Sequence, residues 1–431
     1  MIKQTMNKHT ICGLLLAAIS IQSLAQSGTK SPYSQYGLGT LSDASQSASR
    51  GMNGVGLAFR QGTEVNTLNP ASYSGVDSLT MLFDVGLSLQ TTNFKEGATK
   101  VNANTANFEY AVGSFRLMRK VGMAFGLLPY TNVGYEYTTS TYLDRTNGAV
   151  SETYSGDGGL HQAFVGIGWQ PVKFFSVGIN AAYIWGGYER SVTTSATTSI
   201  NSLNRTYSAT VNSYKLDFGL QAYAPVSRKD MLTLGATVGL GHKLGADASC
   251  EINNVANEDT MLFVASNALE MPMTYGVGLS WNHRNKWTVG ADFKKQKWGS
   301  IDYPVFENSN YVMKGGLLKD RYEARVGGEW VPNEMSTRSL LMRMHYRMGI
   351  GYATPYYIIN GKDGPKEFCV SAGFGIPLQS KWNIQNALRP ELNISAQWTH
   401  ASAKDLITEN TFRINLGLTF NERWFSKFKI R

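Results

Sequence analysis

The chain has 431 residues, of which 16% are charged and 12% aromatic, with 44 glycines, 12 prolines and a formal net charge of +9. Charge this sparse is unusual for a soluble domain, where about a quarter of residues is typical. The only long apolar run lies at the N-terminus, which excludes a bundle of spanning helices of about 20 apolar residues each, and no basic helix or aromatic–basic ladder points to nucleic acid.

In chain order, Lys3 and Lys8 precede an apolar stretch at 11–21, and Ser23-Leu24-Ala25 fits a small-x-small cleavage site. This pattern predicts a signal peptide over 1–25, a mature start at Gln26 and export. Cys12 opens the apolar run instead of closing it, so no lipid anchor is expected. The remaining thiols, Cys250 and Cys369, lack metal-type spacing. No metal and no cofactor are expected.

Residues 26–78 are small and polar, with little alternation. A structureless stretch this long is uncommon and usually either functional or disordered. It is expected to fold as a hatch inside a barrel, because a wide barrel has an interior that its own side chains do not fill. Near its end stands Asn69-Pro70-Ala71. Pro70 fixes its own φ and biases Asn69 away from helix, and the Asn69 side chain can turn or cap the chain. A bend there would lead the hatch into the first strand.

From 79 to 421 the chain repeats one unit, an alternating run followed by a connection. Tyr214, Leu216, Phe218, Leu220 and Ala222 share one face, while Ser213, Lys215, Asp217, Gly219 and Gln221 share the other. The same period of two, that of a strand with one apolar face, recurs in Leu232–Leu240 and Met271–Trp281 and again in Met342–Tyr352 and Phe412–Phe420. Short turns at 119–120, 170–173, 225–230, 282–285 and 331–338 alternate with long polar stretches at 91–106, 140–158, 190–205, 247–269 and 301–318. Bacterial outer-membrane barrels sort their loops this way, with the short turns periplasmic and the strand number even. The expected fold is an all-β, transmembrane antiparallel barrel of about fourteen strands. Tryptophans near the run ends, Trp169, Trp185, Trp281, Trp287, Trp298, Trp330, Trp398 and Trp424, fit the interfacial girdles. Both termini are expected in the periplasm of a Gram-negative cell, and 422–431 reads as a basic–aromatic extension.

The Gly-rich segment 50–59 (RGMNGVGLAF), followed by Asn69-Pro70-Ala71 and then the first long strand, resembles the FadL family of outer-membrane transporters. The layout is also similar to related barrels of Bacteroidetes secretion systems. The resemblance implies fourteen strands, an N-terminal hatch containing the Asn-Pro-Ala motif, and apolar cargo leaving sideways through a gap in the wall. The sequence itself does not mark the gap; Pro304 or the strand glycines could interrupt pairing.

Inward positions late in the chain are charged: Asp292 and Lys294 on one strand, Arg321, Glu323, Arg325 and Glu329 on the next, and Arg343, His345 and Arg347 on a third. Two readings stay open. Opposite charges can pair across strands and hold the hatch, or Arg325, Arg343 and Arg347 can use their planar forks to bind the anionic head of an amphipathic ligand. No enzyme constellation appears: the histidines form no H-x-x-x-H pair, and G-x-S-x-G and phosphate loops are absent. The expected function is transport of hydrophobic or amphipathic, fatty-acid-like molecules across the outer membrane, with lipid and such ligands as partners. The alternative is a non-transporting barrel subunit of an outer-membrane secretion or assembly complex, partnered by envelope proteins.

Overall fold

The alternation closes into one antiparallel barrel. A computed structural model describes residues 29–78, 80–143, 148–196, 202–254, 259–336, 339–378 and 389–422. Its strands are β1 (Met81–Glu96), β2 (Thr99–Met118), β3 (Val121–Leu143), β4 (Gly148–Val172), β5 (Phe175–Ala196), β6 (Ser202–Pro225) and β7 (Asp230–Gly239). They continue with β8 (Thr274–His283), β9 (Trp287–Gln296), β10 (Arg321–Trp330), β11 (His345–Ala353), β12 (Lys366–Pro377), β13 (Glu391–Ser402) and β14 (Thr408–Glu422). Each pairs with its sequence neighbour, and β1 also pairs with β14, so no sheet edge is left at the seam.

The greasy sets face outward. Leu87 and Leu89 of β1, Val165, Ile167 and Trp169 of β4, and Val277, Leu279 and Trp281 of β8 are all exposed. Apolar patches of this extent need a cover, and acyl chains supply it in a membrane barrel. Stacked and tilted rings, Trp287 on Trp330 and Trp330 on Tyr346, mark the short-turn boundary. No helix among the described residues is long and apolar enough to cross a membrane.

Several expected loops are strands. β3 to β6 run for 22 to 25 residues, about twice the nine to eleven that a crossing needs. The described parts of 140–158 and 190–205 therefore continue the sheet beyond the length that a crossing needs. Their Ser, Thr and Tyr content reads as polar, yet Thr and Tyr favour pleated sheet, and hydroxyls pair across it, as Thr138 with Thr153 at 3.1 Å. Likewise 247–269 holds a hairpin of Ala248–Asn254 and Asp259–Ala265, and 301–318 one of Tyr303–Glu307 and Asn310–Lys314. Met342 lies on a one-turn helix, Leu340–Arg343, so the expected strand from Met342 begins only at His345.

The hatch fills the barrel with short pieces: a 3-10 turn at Pro32–Gln35, a two-residue strand at Thr40–Leu41, a helix at Ser47–Gly51 and a second 3-10 turn at Pro70–Gly75. Tyr73 packs in the short-turn half with Leu82, Val112 and Phe164. Tyr33 and Leu38 join Trp298 and Tyr356 in a second core toward the long loops, so Trp298 packs inside instead of in an interfacial girdle. The expected signal peptide over 1–25 and the extension beyond Glu422 lie outside the described residues.

Candidate functional site: a stoppered lumen with a split wall

Asn69 is fully buried and extended. Its Oδ1 accepts a hydrogen bond from the Ala71 N–H at 3.1 Å, capping the Pro70–Gly75 turn. Its Nδ2 donates to the Leu57 carbonyl at 2.7 Å and to the Leu220 carbonyl of β6 at 3.1 Å. The motif thus ties hatch to hatch and hatch to wall. The wall meets it with glycine. A Cβ on Gly178 would lie 2.3 Å from the Pro70 carbonyl carbon, and one on Gly122 would lie 1.8 Å from the Tyr73 carbonyl oxygen. Backbones approach there as only glycine allows.

The charged cluster divides by partner. Asp292 Oδ2 accepts from the Gly56 and Leu57 N–H groups of the hatch at 2.7 and 2.9 Å. Arg321 donates to Glu323 and Glu367 at 2.9 and 3.0 Å. Arg325 lies 3.3 Å from Glu323 and 3.4 Å from Asp43 of the hatch. Arg347 is the hub: it reaches Glu329 at 2.6 Å, Glu391 at 2.9 Å and Glu64 of the hatch at 3.0 Å, and also Asn393. His345 completes the group, 3.0 Å from Glu329. Glu64, Glu329 and His345 place donor atoms within 4.8 Å of one another, but Arg347 already bonds both carboxylates. Arg343 sits on the short-turn helix beside Glu334 and Arg389. Arg325, Arg343 and Arg347 therefore share no common site.

The hatch charges were not singled out in the sequence. Arg50 donates to Glu109 at 2.9 Å and to Asn415 at 3.1 Å, all buried. Burial alone would raise the Asp43 carboxyl, but Arg325 and Arg50 hold it well below the ordinary carboxylate range. The stability of such a depressed group is present above its unfolded pKa and is lost only as pH falls through the lower folded value. Asp43→Asn should therefore cost the hatch the same loss of protease protection at pH 5 as at pH 7. A signal was available: an Arg within a small-residue plug needs a wall carboxylate, because an unpaired buried charge is costly.

Above the hatch lies a cavity of about 580 Å³. Its wall includes Lys215, Asp217, Lys294, Arg325 and Arg413, together with Phe108, Pro129 and Tyr130. Lys215 pairs with Asp217, and Arg413 donates to Gln90 Oε1 at 2.7 and 3.0 Å. The Lys294 ammonium makes no ion pair or hydrogen bond among the described residues.

The aromatic side of this cavity coincides with a split in the sheet. β2 and β3 pair through only seven residue pairs, from Met118 with Val121 up to Ala111 with Leu127. That falls short of the nine to eleven residues of a crossing. β3 stays paired with β4 up to Leu143, with a register shift between Pro129 and Thr131. The hatch takes over part of the freed edge: Leu41 and Thr40 pair with Thr131 and Asn132, and the Ser42 N–H donates to the Tyr130 carbonyl at 3.0 Å. Pro129, at the split, has no N–H to give a ladder. The interruption thus lies at Pro129; of the candidates left open in the sequence, Pro304 lies in the Tyr303–Glu307 hairpin outside the barrel sheet.

The comparisons agree with this architecture. The chain matches the BamG family along its whole length, residues 1–431. It belongs to the BamG family. None of the curated proteins matches it. Among solved structures, this BamG-family barrel resembles a Pseudomonas aeruginosa FadL homologue with a TM-score of 0.60 and 13% identity, covering 88% of this chain and 99% of that one. The Ralstonia pickettii toluene transporter TbuX gives 0.59 and 13%, covering 88% and 98%. The CymD monoaromatic hydrocarbon channel gives 0.57 and 14%, covering 91% and 100%. At such identity the likeness establishes the fold alone: a closed fourteen-strand antiparallel barrel of the kind seen in those structures.

Proposed function

We propose that this BamG-family protein transports hydrophobic or amphipathic small molecules, which enter the cavity from the long-loop side and pass into the membrane between β2 and β3. The observation that carries the reading is the loss of pairing after seven residue pairs, at a level where a spanning strand is still within the bilayer. Phe108, Pro129 and Tyr130 line the cavity beside it. The volume of about 580 Å³ falls in the range of small-molecule sites. Sideways exit leaves the Arg50 and Arg347 networks intact, so a firmly seated hatch does not oppose transport. The fold is one that TbuX, by its description, uses for toluene.

Lys294 is the cation we assign to an anionic head group, in place of the arginines already engaged with carboxylates. Lys294→Gln should weaken binding of a long-chain carboxylic acid by about tenfold, the scale of one charge-assisted hydrogen bond. Binding of a neutral hydrocarbon should be unchanged. Equilibrium binding in detergent, compared between the two ligand classes, checks this; equal losses would remove Lys294 from the site. Uptake of both ligands into proteoliposomes tests transport itself, and no uptake above protein-free vesicles would refute it.

A second reading has its own observation. β3 to β6 project well beyond a membrane, and the attached Asp259–Ala265 strand exposes Leu262 and Val264. Such a surface suits a barrel subunit of a secretion or assembly complex. A photo-reactive residue at Leu262 that cross-links an envelope protein in cells would favour this reading, and labelling by lipid or nothing would count against it.

A further inference from the structure

The short-turn rim carries a charge pattern that the lumen does not explain. Arg119 and Lys120 form the turn between β2 and β3, and Lys173 the one between β4 and β5. Arg228 and Lys229 follow between β6 and β7, then Arg284 and Lys286 between β8 and β9. All seven are exposed, and none has a carboxylate within ion-pair distance among the described residues. The acid of these turns, Asp230, is taken by His283 at 2.7 Å and by the Trp281 indole N–H at 3.1 Å. At the opposite rim the lysines divide: Lys95, Lys100, Lys243, Lys297, Lys366 and Lys404 are exposed without an ion pair among the described residues, and four others are paired. There Lys295 pairs with Asp320, Lys314 with Glu307, Lys319 with Asp363 and Lys362 with Asp405, at 2.7 to 3.1 Å. None of these four turns supplies a counter-charge for its own cations, which are left for something outside the chain.

Each of these four turns also sets an exposed apolar side chain beside its cations: Met118, Phe174, Val226 and Trp287. Val226 is 68% exposed and Met118 59%. Lys173 Nζ lies 5.2 Å from the Phe174 ring centroid. The pairing of cation with apolar anchor repeats on four successive hairpins, around much of the circumference. An acidic protein would meet one sector and would not need an apolar contact at every turn. A free phosphate would need no apolar contact at all. A phospholipid offers both an acyl boundary and a phosphate, and it surrounds the barrel.

We infer that the short-turn rim is a binding surface for anionic phospholipid, with the turn cations on the phosphates and the neighbouring apolar side chains at the acyl boundary. The inference is independent of what the lumen carries; it requires only that the barrel spans the bilayer.

The test uses the full chain in nanodiscs of phosphatidylcholine with a minority of phosphatidylglycerol, extracted gently and weighed by native mass spectrometry for retained lipid. The intact protein should retain phosphatidylglycerol several-fold above its share of the bilayer, and the excess should shrink with salt. Replacing the seven turn cations with Gln should abolish the excess. Replacing Lys295, Lys314, Lys319 and Lys362 with Gln should leave it unchanged. If the sevenfold variant fails to insert, R228Q/K229Q alone should give a partial loss. No excess in the intact protein, equal loss in the long-loop variant, or a full excess retained without the turn cations would overturn the inference.

Discussion

Arg347→Met should destabilise the folded barrel by roughly 3–5 kcal/mol, the scale for removing one partner of a buried ion pair. The reason lies in the number of carboxylates left behind. Glu329, Glu391 and Glu64 converge on this guanidinium, which has 1% of its side chain exposed. Met fills much of the same volume, so the loss would be electrostatic and not a cavity. Chemical unfolding in detergent, with the hatch and barrel monitored separately, should show the hatch released first, because Glu64 belongs to the hatch and the other two carboxylates to the wall. Adding Glu64→Gln to Arg347→Met should recover part of the loss, and the double-mutant cycle should show coupling well above 0.5 kcal/mol. Independent, additive effects would mean that Arg347 does not hold the hatch.

Gly178→Val should act on the same hatch by steric means. The added Cβ would lie 2.3 Å from the carbonyl carbon of Pro70 and 2.5 Å from the Ala71 nitrogen. Both are backbone atoms of a capped turn and cannot swing aside like the tip of a long side chain. Overpacking in a filled interior typically costs 1–3 kcal/mol, and here the obstacle is backbone, so about the upper end is expected. The hatch should leave the wall around Asn69-Pro70-Ala71, giving protease cleavage within 50–75 and ion conductance in planar bilayers. Ala181→Val, at an exposed position of the same strand, should do neither. A Gly178→Val protein with a protected hatch and no conductance would refute the close packing.

Much of the architecture was legible because a membrane barrel imposes a period of two on every strand. Tyr214 to Ala222 on one face, and their polar alternates on the other, sufficed for the sidedness. The strands that extend beyond the membrane were not legible, since Thr- and Ser-rich stretches such as 190–205 look like loops until their hydroxyls pair across a sheet. The hatch was placed by its lack of alternation and by Asn69-Pro70-Ala71. Its wall contacts were hidden because they pair residues hundreds of positions apart, as Arg50 with Asn415 and Glu64 with Arg347. That Gly122 and Gly178 touch the hatch backbone is a property of the assembled lumen. The split at Pro129 was missed for a related reason. A proline inside a strand is a warning that the ladder breaks, but only the neighbouring strand tells which ladder.

Sideways passage depends on that split. The most direct measurement places a photo-reactive amino acid at Phe108, beside the unpaired edges of β2 and β3, in protein reconstituted with a tritiated long-chain carboxylic acid. The expected result is light-dependent labelling by the acid that excess unlabelled acid competes away at Phe108 but not at Val165, on the acyl-facing side of β4, where contact is only with acid dissolved in the bilayer. Competition that is equal at the two positions, or labelling absent at Phe108 while the protein remains folded, would contradict passage through this wall.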